Sequence, residues 1–296
     1  MKTKLLTLSL LSVASLNANA AFVAFIKPDS QSEFTIQKQA KPQPPKPQAC
    51  ITRDDLMKKI RVNEDVSNAN TSCITNFSAM FMMNKTFNQD ISDWDVSNGT
   101  NFGMMFGGAI AFNQDISGWD VSKGTNFSGM FSRNRTFNQD ISGWDVSNGI
   151  QFSSMFGGAI AFNQDISGWD VSNGKVFNTM FQESLKFNQD ISGWDVSNGT
   201  DFRGMFETAV VFNQDISGWN VSKGQDFYAM FKQAKMFNQD ISSWDVSNGT
   251  NFGMMFAYTQ QFNRSVADWN VLNATVFNDF NYSSNLSSSN IPVKFR

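Results

Sequence analysis

Two series of aspartates are the residues in this chain whose spacing could do chemistry. Asp90, Asp115, Asp140, Asp165, Asp190, Asp215 and Asp240 recur every 25 residues. Asp95, Asp120, Asp145, Asp170, Asp195 and Asp245 form a second series, with Asn220 and Asn270 in its other places. If successive copies of the segment stack, each series becomes a row of carboxylates. Such a row could hold calcium between copies, or supply the acid and base of a hydrolase. The second use needs two acids in different environments, so that their pKa values separate. Identical copies give near-identical environments, which argues against an enzyme. For calcium, the competing reading is that each aspartate caps a turn by accepting backbone N–H bonds. Asn fills two places of the second series without evident compensation, and no glycine-rich calcium nonapeptide is present, so the capping reading is favoured.

Histidine is absent from the 296 residues. This removes the commonest general base and metal ligand, and with them Ser-His-Asp and Cys-His catalysis. The expectation is a non-catalytic chain with no cofactor. The 30 Phe and 8 Trp could in principle stack sugars or bases, but they keep fixed places in the repeat and therefore read as core. Net charge is −3, and falls to −5 once Lys2 and Lys4 are removed with a leader. That balance argues against a nucleic-acid partner, which would call for a basic stripe.

A leader is expected at residues 1–20. Lys2 and Lys4 precede the apolar run Leu5–Leu16, and Ala18-Asn19-Ala20 fits a small-x-small cleavage site. The run is short for a membrane span, and no other segment is long and apolar enough to be one. An exported protein is thus expected, secreted or surface-bound, with the periplasm as an alternative. In that setting the two cysteines, Cys50 and Cys73, are expected to form a disulfide. It would close a loop of about 24 residues, worth roughly 3 kcal/mol on the chain-entropy model.

The elements that must position these residues follow from the repeat. All the tryptophans, Trp94 through Trp269, and the phenylalanines from Phe87 through Phe262, keep a 25-residue step with no insertion. A fixed period of this size signals a solenoid or array. Residues 21–50 form an N-terminal segment with a proline-rich linker at 37–49. Residues 51–68 hold a capping helix opened by Thr52, with Leu56, Met57 and Ile60 on its apolar stripe. Eight repeats span 69–268, and 269–296 form a degenerate ninth repeat and C-terminal cap. Within one repeat, Ile91-x-x-Trp94-x-Val96 reads as a short strand with one buried face. Asn98-Gly99 is a turn. Phe102, Met105, Phe106, Ala109 and Phe112 fall on one face of a helix. One strand and one helix per 25-residue coil gives an α/β repeat with a parallel strand stack on one side and helices on the other.

The run Phe-Asn-Gln-Asp-Ile-Ser-x-Trp-Asp-Val-Ser, at Phe112–Ser122, followed by Thr125-Asn126 and Met130-Phe131, resembles the BspA-family leucine-rich-repeat surface proteins. The likeness covers about 69–280, and Ile51–Phe81 resembles the lead-in of that family. The resemblance implies a right-handed, leucine-rich-repeat-like solenoid on an exported, surface-associated protein connected with adhesion. It carries no shared catalytic residues. Two places depart from the family pattern. Gly99 and Phe102 stand where an aliphatic residue and Met are usual, and Ile74 alone keeps the aliphatic one.

Binding is therefore the expected function, and the positions that differ between copies carry the information. Residues 107–111 read GGAIA, and the equivalent stretches read SRNRT, GGAIA, QESLK, ETAVV, KQAKM and AYTQQ. The segment from Trp94 to Ser97 barely changes. A protein partner is expected to contact Arg133, Arg135, Gln182, Glu183, Lys186, Glu207, Lys232 and Lys235 on this variable side. Drift after duplication would leave the same variability. The alternatives are a repetitive glycan on the uniform side, or a periplasmic scaffold. An ice surface is disfavoured because the series Thr100, Thr125, Ile150, Lys175, Thr200 is irregular. The expected state is a monomer.

Overall fold

The computed structural model describes residues 49–296. The leader at 1–20 and nearly all of the segment at 21–50 lie outside the described residues. No described helix is long and apolar enough to cross a membrane.

The chain stacks in 25-residue coils. Parallel bridges join Asn76 to Asn101, Asn101 to Asn126, Asn126 to Gln151 and onward in the same step to Val276. These bridges fall after Gly99, not at Ile91–Val96 where the strand was expected. The latter stretch is folded into turns, closed by Trp94 N to Ile91 O at 3.1 Å and Gly99 N to Val96 O at 2.7 Å.

The expected helix over 102–112 is also replaced. Met105 N donates to Phe102 O, Gly107 N to Met104 O, and Ala109 N to Phe106 O, each three residues back rather than four. The intervening N–H groups leave the coil. Phe102, Met104, Phe106 and Gly108 donate to Asn126, Ser128, Met130 and Ser132 of the next coil at 2.7–2.8 Å. Met104 and Gly108 have φ of 57° and 71°, the third-position geometry of a type II turn. Each such non-glycine corner costs on the order of 1 kcal/mol. The inter-coil hydrogen bonds and the buried side chains offset that cost. A run of turns returns to the same side every three or four residues, so it buries the same residues as a helix would.

Those residues form columns. Phe102, Phe127 and Phe152 stack at 5.6–5.8 Å, and Phe106, Phe131 and Phe156 at 5.7–5.8 Å. Trp119, Trp144, Trp169 and Trp194 stack at 6.5 Å with nearly parallel rings. Each indole N–H is satisfied by the coil before it, as in Trp169 Nε1 to Ile141 O at 3.1 Å. At roughly 1.5–3 kcal/mol per large buried side chain, stability is shared along the stack and no coil holds itself.

The apolar core is covered at both ends of the stack, while part of the turn backbone at each end is left unpaired among the described residues. Helix α1, Arg53–Arg61, is capped by Thr52, whose side chain accepts from Asp55 N. It buries Leu56 and Ile60 against the first coil. At the far end, Phe295 packs on Phe252, Phe277 and Phe280. Cys50 and Cys73 are joined by a disulfide, their Cα atoms 5.9 Å apart, which ties the chain ahead of α1 to the first coil. Reduction is expected to lower stability by about 3 kcal/mol, read as a fall in the thermal midpoint with dithiothreitol. An unchanged midpoint would show that the bridge constrains nothing that matters for unfolding.

Candidate binding surface

The aspartates of the uniform side are turn caps. Asp90 Oδ1 accepts Ser92 N at 3.0 Å, and Asp115, Asp140, Asp165, Asp190 and Asp215 repeat the bond at 2.9 Å. In the second series Asp95 Oδ1 accepts from both the N–H and the hydroxyl of Ser97. Asn220 accepts from Ser222 N at 3.1 Å, and Asn270 from Leu272 N at 3.3 Å. A neutral amide oxygen performs the same task, which is why Asn is accepted there. Added calcium is accordingly expected to leave the thermal midpoint unchanged. A large rise, reversed by a chelator, would overturn the capping account.

The Ser92 N–H and hydroxyl hold the Asp90 carboxyl below its ordinary value, and the equivalent serines do the same for Asp115, Asp140, Asp165, Asp190 and Asp215. A carboxyl lowered in the folded state stabilises above its unfolded pKa of about 3.9. That stability is lost as pH falls through the lower folded value. Asp201 has the opposite sign. Burial pushes its carboxyl up, against the nearby Arg203, so its contribution is lost as pH rises. The lowered groups outnumber it. The thermal midpoint is therefore expected to hold from about pH 7 to 5 and to fall below about pH 4. A midpoint that climbs in acid would contradict these bonds.

The amides of the uniform side tie coil to coil. Asn138 N donates to Asn113 Oδ1 at 2.9 Å, and Gln139 Nε2 donates to Asn113 O at 2.9 Å. Asn148 and Asn173 donate to Ser122 O and Ser147 O at 2.8 Å. Where lysine replaces this asparagine, its ammonium still reaches back, as in Lys123 Nζ to Asn98 Oδ1 at 2.7 Å. Much of this side's hydrogen-bonding capacity is thus spent inside the stack.

The variable residues lie on and beside the turn run, and they divide into two groups. Gln182, Glu207 and Lys232 hold one register position in three successive coils and bond to each other. Gln182 Nε2 reaches Glu207 Oε2, and Lys232 Nζ reaches Glu207 Oε1, both at 2.8 Å. The Glu207 carboxylate raises the Lys232 ammonium above its ordinary value. Opposite charges separated by one period were the signal for this pairing, and their side chains serve coil stacking. Arg133, Arg135, Glu183, Lys186 and Lys235 are exposed and have no ion pair among the described residues.

Beside them is a set of apolar side chains that reasoning from charge missed. Leu185, Val211 and Met236 sit at the same or adjacent register positions of three consecutive coils. They are 39%, 38% and 50% exposed, and Lys186 and Lys235 are their chain neighbours. Ile110, 40% exposed, occupies the Leu185 position three coils earlier. Within the chain these places read Ile110, Arg135, Ile160, Leu185, Val210, Lys235 and Gln260, a mixture of apolar, basic and neutral polar side chains.

A family described as "Mycoplasma protein of unknown function, DUF285" matches the chain three times in tandem, over residues 54–160, 121–215 and 193–292. No curated protein matches it.

Proposed function

The chain belongs to the DUF285 family, and from its own residues we propose that it is an exported, non-catalytic binding protein. Its turn side contacts a protein partner. The observation that carries this reading is the cluster of Leu185, Val211 and Met236 at the surface, flanked by Lys186 and Lys235. Single exposed apolar residues need no explanation, but exposed apolar side chains that recur in three consecutive coils beside unpaired charges favour an interaction site. A distinctive arrangement of unpaired charges adds partner discrimination. The uniform side has less to offer, because its Asp, Asn and Gln side chains are engaged within the stack.

The finer reading is that the coils form a right-handed solenoid of the BspA leucine-rich-repeat type on a surface-associated protein. It is supported by the parallel i-to-i+25 bridges and by the Phe-Asn-Gln-Asp-Ile-Ser-x-Trp-Asp-Val-Ser repeat. Export is supported by the leader-like residues 1–20 and by the Cys50–Cys73 disulfide.

Two sets of substitutions test the function. One reverses Arg133, Arg135, Lys186 and Lys235 to glutamate. The other replaces Ser122, Ser147 and Ser172 with alanine. Attachment to surface material is expected to fall in the charge set and to persist in the serine set. Loss only in the serine set would transfer the function to the uniform side and to a repetitive ligand such as a glycan.

A further inference from the structure

Along the turn run the backbone ladder has a direction, opposite to that of the bridge backbone, where Thr100 N donates back to Thr75 O at 2.8 Å. At the first boundary Phe77, Ala79, Phe81 and Met83 donate to carbonyls of the following coil at 2.7–2.9 Å, and later boundaries follow the same sense. The first coil therefore presents acceptors with no coil behind them, and the last presents donors with none ahead. At the first coil, Arg53 of α1 fills two of these places. Its Nε reaches Asn76 O at 3.0 Å and its Nη2 reaches Ser78 O at 2.6 Å. Met80 O and Met82 O receive no hydrogen bond among the described residues. They belong to a cleft that Met57, Met82 and Met83 line. At the last coil, Asn281 N and Ser283 N likewise donate to nothing among the described residues.

These two open edges match in register. Inside the stack, the residue at the Asn281 place donates to the one at the Met80 place, and the Ser283 place donates to the Met82 place. Phe106 N to Met130 O and Gly108 N to Ser132 O are the internal examples. In the same register Asp279 corresponds to the donor that would reach Ser78 O, the carbonyl Arg53 already holds. Asp279 is exposed, and its carboxylate would arrive beside that guanidinium. Tyr282 and Met82, 54% and 47% exposed, share one register position and would meet across the junction.

We propose that the last coil of one molecule docks on the first coil of a second copy, head to tail, continuing the ladder through Asn281 N to Met80 O and Ser283 N to Met82 O. The occupant is a second copy because the two acceptors that Arg53 leaves open, the two unpaired donors, the Asp279 and Arg53 charges and the register complement one another within this one sequence. Such a contact does not close on itself, so it builds a linear series. It departs from the monomer expected from sequence.

Sedimentation of the full chain tests this. The average mass is expected to rise with concentration beyond that of a dimer. Asp279→Lys should weaken association about tenfold, and Asp279→Glu should retain it. A second measurement pairs Met82→Cys with Tyr282→Cys in one chain. Both side chains are exposed, so folding should survive. Oxidation is expected to give a reducible series of dimers, trimers and longer species. A mass fixed at one chain at every concentration would overturn the proposal. So would association indifferent to Asp279→Lys, or crosslinking by Tyr282→Cys alone as efficient as by the pair, which would indicate a symmetric contact.

Discussion

Replacing Trp169 with alanine is expected to destabilise the protein by about 3–5 kcal/mol, the largest effect of any single substitution considered. The indole is 3% exposed and lies mid-stack. It rests between Trp144 and Trp194 at 6.5 Å and against Phe156 at 6.1 Å. Truncation leaves a cavity that neighbouring coils cannot close without breaking their own ring stacking. It also strands Ile141 O, the acceptor of the indole N–H. Because each coil depends on its neighbours, the loss should be felt by the whole array rather than by one repeat. The check is a denaturant titration in which the midpoint falls while the slope is kept. A midpoint that barely moves would mean that the tryptophan column is not core.

Gly174→Ala is the second, with an expected cost of about 1–3 kcal/mol from overpacking. A Cβ there would lie inside contact distance of the Phe177 ring tip and 2.8 Å from Val171 O. Phe177 cannot move aside, since it stacks on Phe152 at 5.6 Å and Phe202 at 5.8 Å. Gly168→Ala, in the same coil, is the control. A Cβ at 168 meets nothing within 4 Å, so this change is expected to be neutral or mildly stabilising, up to about 1 kcal/mol. Equal costs at the two positions would show that the Gly99-equivalent column answers to backbone conformation rather than to crowding by the phenylalanine that follows.

The same glycine column marks where sequence reasoning stopped. Its period and position were visible, but its cause is a contact with the ring three residues on, which appears only once the turn is built. The 25-residue step and the inward set Phe102, Met105, Phe106, Ala109 and Phe112 were legible, because both follow from type and spacing. The secondary structure drawn from them was not. A helix and a run of turns bury the same set, and they differ in where alternate N–H groups go. Phe102, Met104, Phe106 and Gly108 send theirs to the next coil, a destination no local window contains. The strand was misplaced for a related reason. Ile91, Trp94 and Val96 are all buried, but turns at Ile91–Trp94 and Val96–Gly99 bring them inward, while the pairing backbone begins at Asn101.

The functional side divided in the same way. Asn220 and Asn270 had already pointed to capping, and the bonds of both aspartate series have that form. Glu207 and Lys232 vary from coil to coil as partner contacts would, yet their separation of one period places them against each other. Leu185, Val211 and Met236 lie in the same variable stretches, but a choice of contacts by charge does not select them. Their place one step outside the inward set is what leaves them at the surface.

The central claim is that the turn side binds and the uniform side holds the coils together. Site-specific photo-crosslinking reads this most directly. A photoreactive residue replaces Leu185 in one protein and Ser172 in another, and each is illuminated on the surface to which the native protein attaches. The account predicts adducts of one defined protein mass from position 185, and only background from position 172. Adducts from position 172 with none from 185 would contradict it.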